Sequence, residues 1–174
     1  MARVTLITGG SRSGKSAYAL TLAQADPTLT RRYFIATAEA LDDEMRERIA
    51  HHRAARPLSF TTIEASLDLC GALASLAGRA DIAIIDCLTL WVSNLLGRNF
   101  SDEGVIAEVD RLTGALAEPP FPAIVVTGEV GSGIVPDNPL ARRFRDLLGW
   151  SNQRLARAAD QLILMAAGYP LRLK

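Results

Sequence analysis

The chain has 174 residues, the usual size of one domain, and 49% of them are hydrophobic, which is enough to build a core. Its 19 basic and 19 acidic residues balance, so no net field attracts nucleic acid or an anionic membrane, and neither partner is predicted. The first residues enter an apolar run at once, and no apolar stretch reaches the length of a membrane span. These features predict a single cytoplasmic domain over residues 1–174, without a signal peptide or stable membrane insertion.

A phosphate-binding motif follows the first predicted strand. Residues 4–8 form a short apolar, β-branched run, and residues 15–25 have the composition of a helix. Between them, GGSRSGKS at residues 9–16 matches G-x-x-x-x-G-K-[S/T] at every fixed position. In this motif backbone N–H groups face phosphate oxygens, Lys15 reaches the β- and γ-phosphates, and the Ser16 hydroxyl binds Mg²⁺. The alternative is a glycine-rich turn with an incidental lysine, but the order of strand, loop and helix favours a nucleoside triphosphate site.

Short aliphatic runs then alternate with helical segments. Strands are predicted at 32–37, 81–86, 123–127 and 161–166, with a weaker candidate at 59–64. Helices are predicted at about 42–55, 66–77, 89–97, 103–117 and 139–159, and residues 118–122 form a stiff proline-rich connection. The succession predicts a three-layer α/β/α phosphate-loop NTPase fold with a mostly parallel sheet. Ligands of such sheets collect at the carboxyl ends of the strands, so the loops at 8–16, 36–42, 86–89 and 127–138 are expected to converge.

Asp86 closes the apolar run of residues 82–85, where a phosphate-loop protein delivers a carboxylate to Mg²⁺ directly or through water. An aspartate at a strand end is by itself more typical of a helix cap or a turn. The phosphate loop changes that balance, because its metal requires a nearby carboxylate. We therefore predict that Ser16 and Asp86 form a magnesium site. Cys70 and Cys87 are isolated in sequence and have neither zinc nor disulfide spacing, so both are predicted to be reduced packing residues.

The two histidines of the chain, His51 and His52, are adjacent in the helix predicted over residues 42–55. Met45 and Ile49 give that helix a single narrow apolar anchor, so it is expected to be lightly held and exposed. Neighbouring helical residues point about 100° apart, so at most one of the two imidazoles can address a given site. A pair of solvated histidines is the other interpretation. Four arginines nearby, at positions 46, 48, 53 and 56, fit either a solvated face or a wall that contacts phosphates, and Glu47 could orient the ring of His51.

Three later features leave alternatives open. The loop at residues 128–136 contains three glycines, so it is either a structural turn or a substrate-binding loop. The helix that starts at Pro139 has a basic face that is solvated or meets phosphates or another subunit, and it carries Arg142, Arg143, Arg145 and Arg154. Residues 90–96 are apolar nearly all round, which suggests burial against another chain and argues against a monomer.

Four segments together resemble a known family, and they span almost the whole chain in order. They are TLITGGSRSGKS at 5–16, YFIATAEALDDEMRERIAHHRAARP at 33–57, IIDCLTLWVSNLL at 84–96, and the stretch from VVTGEVGSGIVP to LARAAD at 125–160. In this combination the sequence is similar to the adenosylcobinamide kinase / adenosylcobinamide-phosphate guanylyltransferase family of cobalamin biosynthesis. The double histidine after D-D-E-M and the segment G-E-V-G-x-G-I-V-P make this resemblance more specific than the phosphate loop alone.

The resemblance implies a bifunctional enzyme. Such proteins phosphorylate the aminopropanol hydroxyl of adenosylcobinamide with ATP or GTP, then transfer GMP from GTP to adenosylcobinamide phosphate and release pyrophosphate. Lys15 is predicted to be catalytic from the phosphate-loop motif itself, because its charge can stabilise the phosphates in both reactions. The resemblance also implies that His51 becomes guanylylated and that the protein is a homotrimer. By the same comparison, the nucleotide contacts are Gly9, Gly10, Ser11, Arg12, Ser13, Gly14, Lys15, Ser16, Ala36, Thr37, Ala38, His52, Arg53, Ala54, Ala55, Glu64 and Asp86.

One position departs from the family pattern, because many relatives have Asn where this chain has Gly128. A side-chain role at that position is therefore not expected here. Two other functions fit the residues alone. One is a small-molecule kinase of the same fold, in which His51 is a surface residue, and the other is a nucleotide-dependent regulatory module without acceptor chemistry. Retention of label from GTP marked at the α-phosphate separates the guanylyltransferase from both.

Overall fold

Strands and helices alternate along the chain in the computed structural model, which describes residues 3–117 and 121–174. In order, the elements are β1 Val4–Gly9, α1 Lys15–Gln24, β2 Arg32–Ala36, α2 Asp43–Ala54, β3 Phe60–Glu64, α3 Leu69–Ser75, β4 Ile82–Asp86, α4 Leu88–Gly97, α5 Asp102–Ala117, β5 Ala123–Val126, α6 Pro139–Ala158, β6 Gln161–Ala166 and β7 Tyr169–Arg172. The predicted connection at 118–122 lies partly outside the described residues, and Phe121 at its end is buried.

The sheet has the strand order β3-β2-β4-β5-β1-β6-β7, and every neighbouring pair is parallel except β6 with β7. Alternate residues of each buried strand face opposite layers, as the period of two requires. Ile84 packs on the face covered by α1, whereas Ile85 packs on the face covered by α3 to α6. Two apolar layers therefore sandwich one sheet, and the predicted three-layer α/β/α fold is confirmed.

Helix starts follow side-chain caps that are present in the sequence. The Asp42 carboxylate accepts the Met45 N–H at 2.7 Å, and the Asn138 side chain accepts the Leu140 N–H at 2.8 Å just before Pro139. The third helix begins later than predicted, at Leu69, because Asp68 caps it. These caps satisfy N–H groups that have no partner inside the helix.

Strand β7 was not predicted, and its sequence explains why. All four of its residues are exposed, and Pro170 cannot donate to a strand ladder, which confines it to an edge position. Ala167 and Gly168 form the tight turn between β6 and β7, with φ angles of 50° and 87°. Alternating burial, the usual sequence signal of a strand, is therefore missing from this edge hairpin.

The apolar helix α4 is buried within its own chain, whereas its sequence suggested burial against another chain. Its side chains Leu88, Trp91, Val92, Leu95 and Leu96 are all buried inside the chain's own core. The Trp91 indole N–H also donates to the Leu67 carbonyl at 2.7 Å. The all-round apolar pattern thus reflects a helix packed between α3, α5, α6 and the sheet, and it gives no indication of a second chain. Within the described ranges, no helix has both the length and the apolar character needed to cross a membrane.

Candidate active site

The phosphate-binding loop connects β1 to α1 and contains two glycines with positive φ. Gly9 has φ 143°, and a Cβ there would overlap the Met165 carbonyl oxygen and lie 2.9 Å from Ser13 Oγ. Gly14, the residue before α1, is left-handed with φ 95°. Only glycine fits both positions without strain, because a side chain at either would meet steric or conformational cost. The fixed glycines of the motif are thus required by the geometry of the loop.

Lys15 folds back over this loop, and its Nζ donates to the Gly10 carbonyl at 2.6 Å. Burial lowers the pKa of Lys15, while the nearby Cys87 and Asp86 act in the opposite direction. The Ser13 hydroxyl is buried and finds no hydrogen-bond partner among the described residues. A positive charge and an unpaired buried hydroxyl at a helix N-terminus are suited to an anion such as phosphate.

Two distant segments brace the loop through backbone hydrogen bonds. The Glu129 N–H donates to the Gly9 carbonyl at 3.0 Å, and the Gly168 N–H donates to the Ser13 carbonyl at 3.1 Å. Gly168 belongs to the turn before β7, the element that the sequence did not indicate. The local sequence signal for this turn was a glycine after a strand. Such a glycine is too common to indicate that the turn holds the phosphate loop in place.

Ser16, at the start of α1, lies within hydrogen-bonding reach of Asp86, at the end of β4. Burial raises the pKa of Asp86, whereas the Ser16 hydroxyl and the charges of His52, Arg56 and Lys15 oppose that rise. Across residues 3–117 and 121–174, there is no cluster of three or more His, Cys, Asp or Glu side chains that could by itself bind a metal ion. A hydroxyl and one carboxylate fit Mg²⁺, which takes one or two protein ligands and completes its shell with phosphates and water.

Thr37 fixes the backbone that follows Asp86. Its fully buried hydroxyl accepts the Cys87 N–H and donates to the Cys87 carbonyl, both at 2.8 Å. The Thr37 carbonyl in turn accepts the Asn94 side chain at 2.8 Å. Burial, helped by the charge of Asp86, raises the pKa of Cys87 to about 11, so this cysteine stays a thiol. Thr37 therefore positions the carboxylate through the peptide next to it.

We expect Thr37→Val to destabilise the protein by about 1–3 kcal/mol, because it leaves the Cys87 N–H unpaired while keeping the side-chain volume. The Cys87 carbonyl keeps the Trp91 N–H as a donor, at 3.2 Å. Thr37→Ser keeps the hydroxyl and loses one methyl, so a cost of about 1 kcal/mol is expected. Denaturant midpoints of the two variants measure the difference. A larger loss for Ser than for Val would mean that packing, and not hydrogen bonding, is the main contribution of Thr37.

A cleft of about 470 Å³ opens between α2 and the carboxyl ends of β2 and β3. Ala36, Ala38 and Glu64, all predicted nucleotide contacts, line it together with Arg53, and Arg53 forms an ion pair with Glu64. No residue of α2 is buried, so the expected light attachment of this helix is confirmed. The other predicted contacts on α2 and just after it, His52, Ala54 and Ala55, are exposed.

The two histidines differ in their surroundings. Both are exposed, but the charge of His52 acts on Asp86, whereas His51 is not among the groups that shift the pKa of that carboxyl. Glu47 and His51 are both among the described residues, and no hydrogen bond joins their side chains. In this arrangement of α2, the charge of His52 therefore favours the ionised form of Asp86.

Arg56 stands out from the four arginines of this region. Its guanidinium lies 3.9 Å from the centroid of the Phe34 ring and donates to the Thr62 hydroxyl at 3.2 Å. Its Nε is buried and has no partner within the described part of the chain. Burial lowers its pKa, and Asp86 opposes that effect. Arg46 instead lines the cleft beside α2 and pairs with Asp43. The sequence could not reveal this difference, because all four arginines lie in one charged segment.

The loop at residues 127–138 meets the site through its backbone. The Gly128 N–H donates to Thr89 Oγ1 at 2.6 Å, and its carbonyl accepts Asn152 Nδ2 at 3.0 Å. A side chain at Gly128 would crowd Thr89 Oγ1 at 2.9 Å, so this position acts through main-chain atoms here. The basic face of α6 is likewise engaged within the chain, by loop carbonyls and by Asp102 and Asp110; the arginines involved are Arg142, Arg143, Arg145 and Arg154.

A glycine loop after a buried parallel strand, with its lysine, serine and strand-end aspartate in place, defines the chain as a phosphate-loop NTPase. A solved structure supports the fold: the KaiC-like protein PH0186 from Pyrococcus horikoshii OT3 matches with a TM-score of 0.53 at 14% identity, over 93% of this chain and 70% of that one. Within this class, residues 5–173 match the family model described as cobinamide kinase / cobinamide phosphate guanyltransferase, and the chain belongs to that family. The predicted family is thus confirmed.

Curated relatives cover nearly the full length of both sequences. The bifunctional adenosylcobalamin biosynthesis protein CobU of Salmonella typhimurium strain LT2 is 39% identical over 97% of this chain and 98% of its own length. The bifunctional adenosylcobalamin biosynthesis protein CobP of Pseudomonas aeruginosa strain PAO1 is 43% identical over 97% of this chain and 96% of its own. CobU of Escherichia coli strain K12 is 38% identical, with coverage of 97% and 98%.

Proposed function

We propose that one domain formed by residues 1–174 carries out two reactions. It phosphorylates adenosylcobinamide with ATP or GTP, and it then transfers GMP from GTP to adenosylcobinamide phosphate, giving adenosylcobinamide-GDP and pyrophosphate. The observation that carries the proposal is the phosphate loop with Lys15 folded across it, in a chain that matches the family over residues 5–173. The bifunctional names of the full-length relatives support it.

In the kinase step, the phosphate loop holds the transferred phosphoryl group. The acceptor hydroxyl oxygen forms a bond to the γ-phosphorus while the bond from that phosphorus to the bridging oxygen breaks, and the hydroxyl proton leaves to solvent. Lys15 and the N-terminal N–H groups of α1 stabilise the charge that moves onto the departing nucleotide. Ser16 and Asp86 would hold Mg²⁺, which neutralises phosphate charge when it is bound.

In the transfer step, we propose His51 as the nucleophile. A neutral imidazole nitrogen attacks the α-phosphorus, an N–P bond forms, and the bond to pyrophosphate breaks. An oxygen of adenosylcobinamide phosphate then attacks the same phosphorus and the N–P bond breaks, which regenerates the free imidazole. His52 is the imidazole whose charge acts on Asp86, so His51 is proposed to reach the nucleotide by a shift of α2. A helix without buried residues can move at low cost.

The cleft beside α2 is proposed to receive the nucleoside. Guanine presents two neighbouring N–H donors, and the Glu64 carboxylate at the wall of this cleft can accept both, whereas adenine lacks that pair. Arg53, which pairs with Glu64, would then be free to contact phosphate. Ala36 and Ala38 leave space for the base because their side chains are small. Thr37 contributes through the backbone it positions.

The reaction itself is the test of this function. Purified protein is incubated with adenosylcobinamide, Mg²⁺ and GTP labelled at the α-phosphate. The corrinoid products are separated, their masses are determined by mass spectrometry, and the label in each product is measured. Labelled adenosylcobinamide-GDP is expected. A simple kinase would yield unlabelled adenosylcobinamide phosphate, and a regulatory module would modify no corrinoid. A homotrimer and a cytoplasmic location are part of the same proposal, and light scattering tests the trimer against the 18.7 kDa chain.

We expect Asp86→Asn to raise the Mg²⁺ concentration needed for half-maximal activity by about tenfold or more, because the shape remains while the charged ligand is lost. The rate at saturating Mg²⁺ should also fall. Asp110→Asn is the matched control, since it removes an exposed carboxylate on α5 that pairs with Arg154 away from the site. Identical metal titrations for wild type and Asp86→Asn would restrict Asp86 to a structural role.

A further inference from the structure

Two bulky apolar side chains are exposed to solvent in the loop after β5, on the side of the sheet where the strands end and the phosphate loop lies. Ile134 is 97% exposed and Val135 is 59% exposed, and Leu140 in the first turn of α6 is 59% exposed as well. Their loop leaves the carboxyl end of β5, the neighbour of β1 in the sheet. The start of this loop contacts the phosphate loop, because the Glu129 N–H donates to the Gly9 carbonyl at 3.0 Å. Ile134 and Val135 together form what we call the apolar tip.

The loop that holds this tip is fixed on both sides. Before the tip, the Glu129 carboxylate accepts the N–H groups of Gly131 and Ser132, and Arg145 donates to the Gly131 carbonyl at 2.5 Å.

After the tip, Arg142 donates to the carbonyls of Pro136 and Asp137 at 2.9 and 2.6 Å. Proline at 136 stiffens the backbone further. The exposure of Ile134 and Val135 is therefore built into the loop, because contacts on either side hold the backbone that presents them to water.

An apolar surface held in water on a loop that begins at the active site indicates a ligand with apolar surface. The nucleoside has its own proposed place, since the cleft of Ala36, Ala38 and Glu64 lies at β2 and β3. The tip lies at β5, on the other side of β4 and Asp86. The remaining reactant is the acceptor, a broad macrocycle whose rim and faces carry methyl groups among its amides. Its size allows it to contact the tip while its aminopropanol arm extends toward the phosphate loop.

We propose that the apolar tip is a contact surface for the corrin ring of the acceptor, an inference that rests on the proposed function. Ile134 and Val135 pack against the methyl-bearing part of the ring and orient the arm toward Gly9 to Ser16. The braced backbone keeps this surface in place before the substrate arrives, so little ordering cost is paid on binding. The tip acts on the acceptor and not on the nucleotide.

The test compares Ile134→Ser/Val135→Ser with wild type. At saturating nucleotide, the KM for adenosylcobinamide is expected to rise about tenfold or more, while kcat stays within about twofold and the KM for nucleotide is unchanged. Ile134→Leu/Val135→Ile keeps the apolar surface and should retain the wild-type KM. Leu58→Ser is the matched control, because Leu58 is fully exposed before β3, at the opposite edge of the sheet.

Several kinetic and hydrodynamic outcomes would overturn the inference. An unchanged KM for adenosylcobinamide means that the tip does not touch the corrinoid, and a parallel rise in the KM for nucleotide means that it serves the nucleotide instead. A change in molar mass by light scattering with an unchanged KM makes the tip a contact between copies of the chain. If wild type lacks activity, equilibrium dialysis of adenosylcobinamide separates the two proposals. If wild type binds adenosylcobinamide and Ile134→Ser/Val135→Ser does not, this inference stands although the proposed activity is absent. If wild type does not bind adenosylcobinamide, both proposals are wrong.

Discussion

Lys15→Ala is expected to lower both the kinase and the guanylyltransferase rates by about two orders of magnitude or more. The Lys15 ammonium lies across the phosphate loop on the Gly10 carbonyl, where it meets the phosphate charge that develops in either reaction. Alanine leaves the glycine backbone intact but removes that charge from a partly buried place. Steady-state rates of both reactions, measured on the same preparation, give the two losses separately.

The control is Lys174→Ala, which removes the chain's one other lysine. Lys174 Nζ donates to carbonyls at the end of α6, the nearest being Ala159 at 2.6 Å, so its loss should affect stability and leave the rates near normal. A Lys15→Ala enzyme with wild-type rates in one of the two assays would show that this loop does not serve that step.

His51→Ala is expected to reduce both the covalent GMP adduct and the transfer to adenosylcobinamide phosphate to background, about three orders of magnitude or more. Phosphorylation of adenosylcobinamide requires the phosphate loop but no nitrogen nucleophile, so it should survive at least in part. The adduct of the wild-type protein, as a phosphoramidate, should be lost in acid and stable in alkali. The adduct is measured by incubating the protein with GTP labelled at the α-phosphate and counting the label in the protein band of a denaturing gel.

His52→Ala is the matched variant, because the two histidines are adjacent and equally exposed. It should still form the adduct, at a lower rate if its ring contacts the nucleotide beside Asp86. Loss of the adduct in His52→Ala with retention in His51→Ala would exchange the two roles and would need no movement of α2. An adduct that resists acid would exclude both imidazoles.

Local signals in the sequence were sufficient for the catalytic core of the fold. The glycines, Lys15 and Ser16 lie within one short motif, and Asp86 ends a run whose buried aliphatic residues mark a parallel strand. These features depend on neighbours in the chain, so spacing and composition predict them. The caps at Asp42 and Asn138 are equally local, and the structure has both.

What the sequence could not indicate depends on partners far along the chain. The apolar pattern of α4 is the same whether its second face meets another subunit or the core helices of its own chain. Basic side chains on α6 look solvated in sequence, yet Arg142 and Arg145 bind loop carbonyls. In sequence, Arg56 is one of four arginines in a charged segment, and only the fold shows that it stacks on Phe34. Periodicity identifies which faces are buried, but it does not identify the partner.

The position of β1 in the sheet has a consequence for how the protein is made. The phosphate loop is synthesised well before the strands that flank it, because β1 pairs with β5 and β6, so that Val4 aligns with Ala123 and Gly9 with Met165. Such contacts between distant parts of the chain close large loops and slow folding. A nascent chain that has emerged only through β4 therefore carries the complete nucleotide motif without the strands that support it. The phosphate loop can gain its flanking strands only after β5 and β6 have been synthesised.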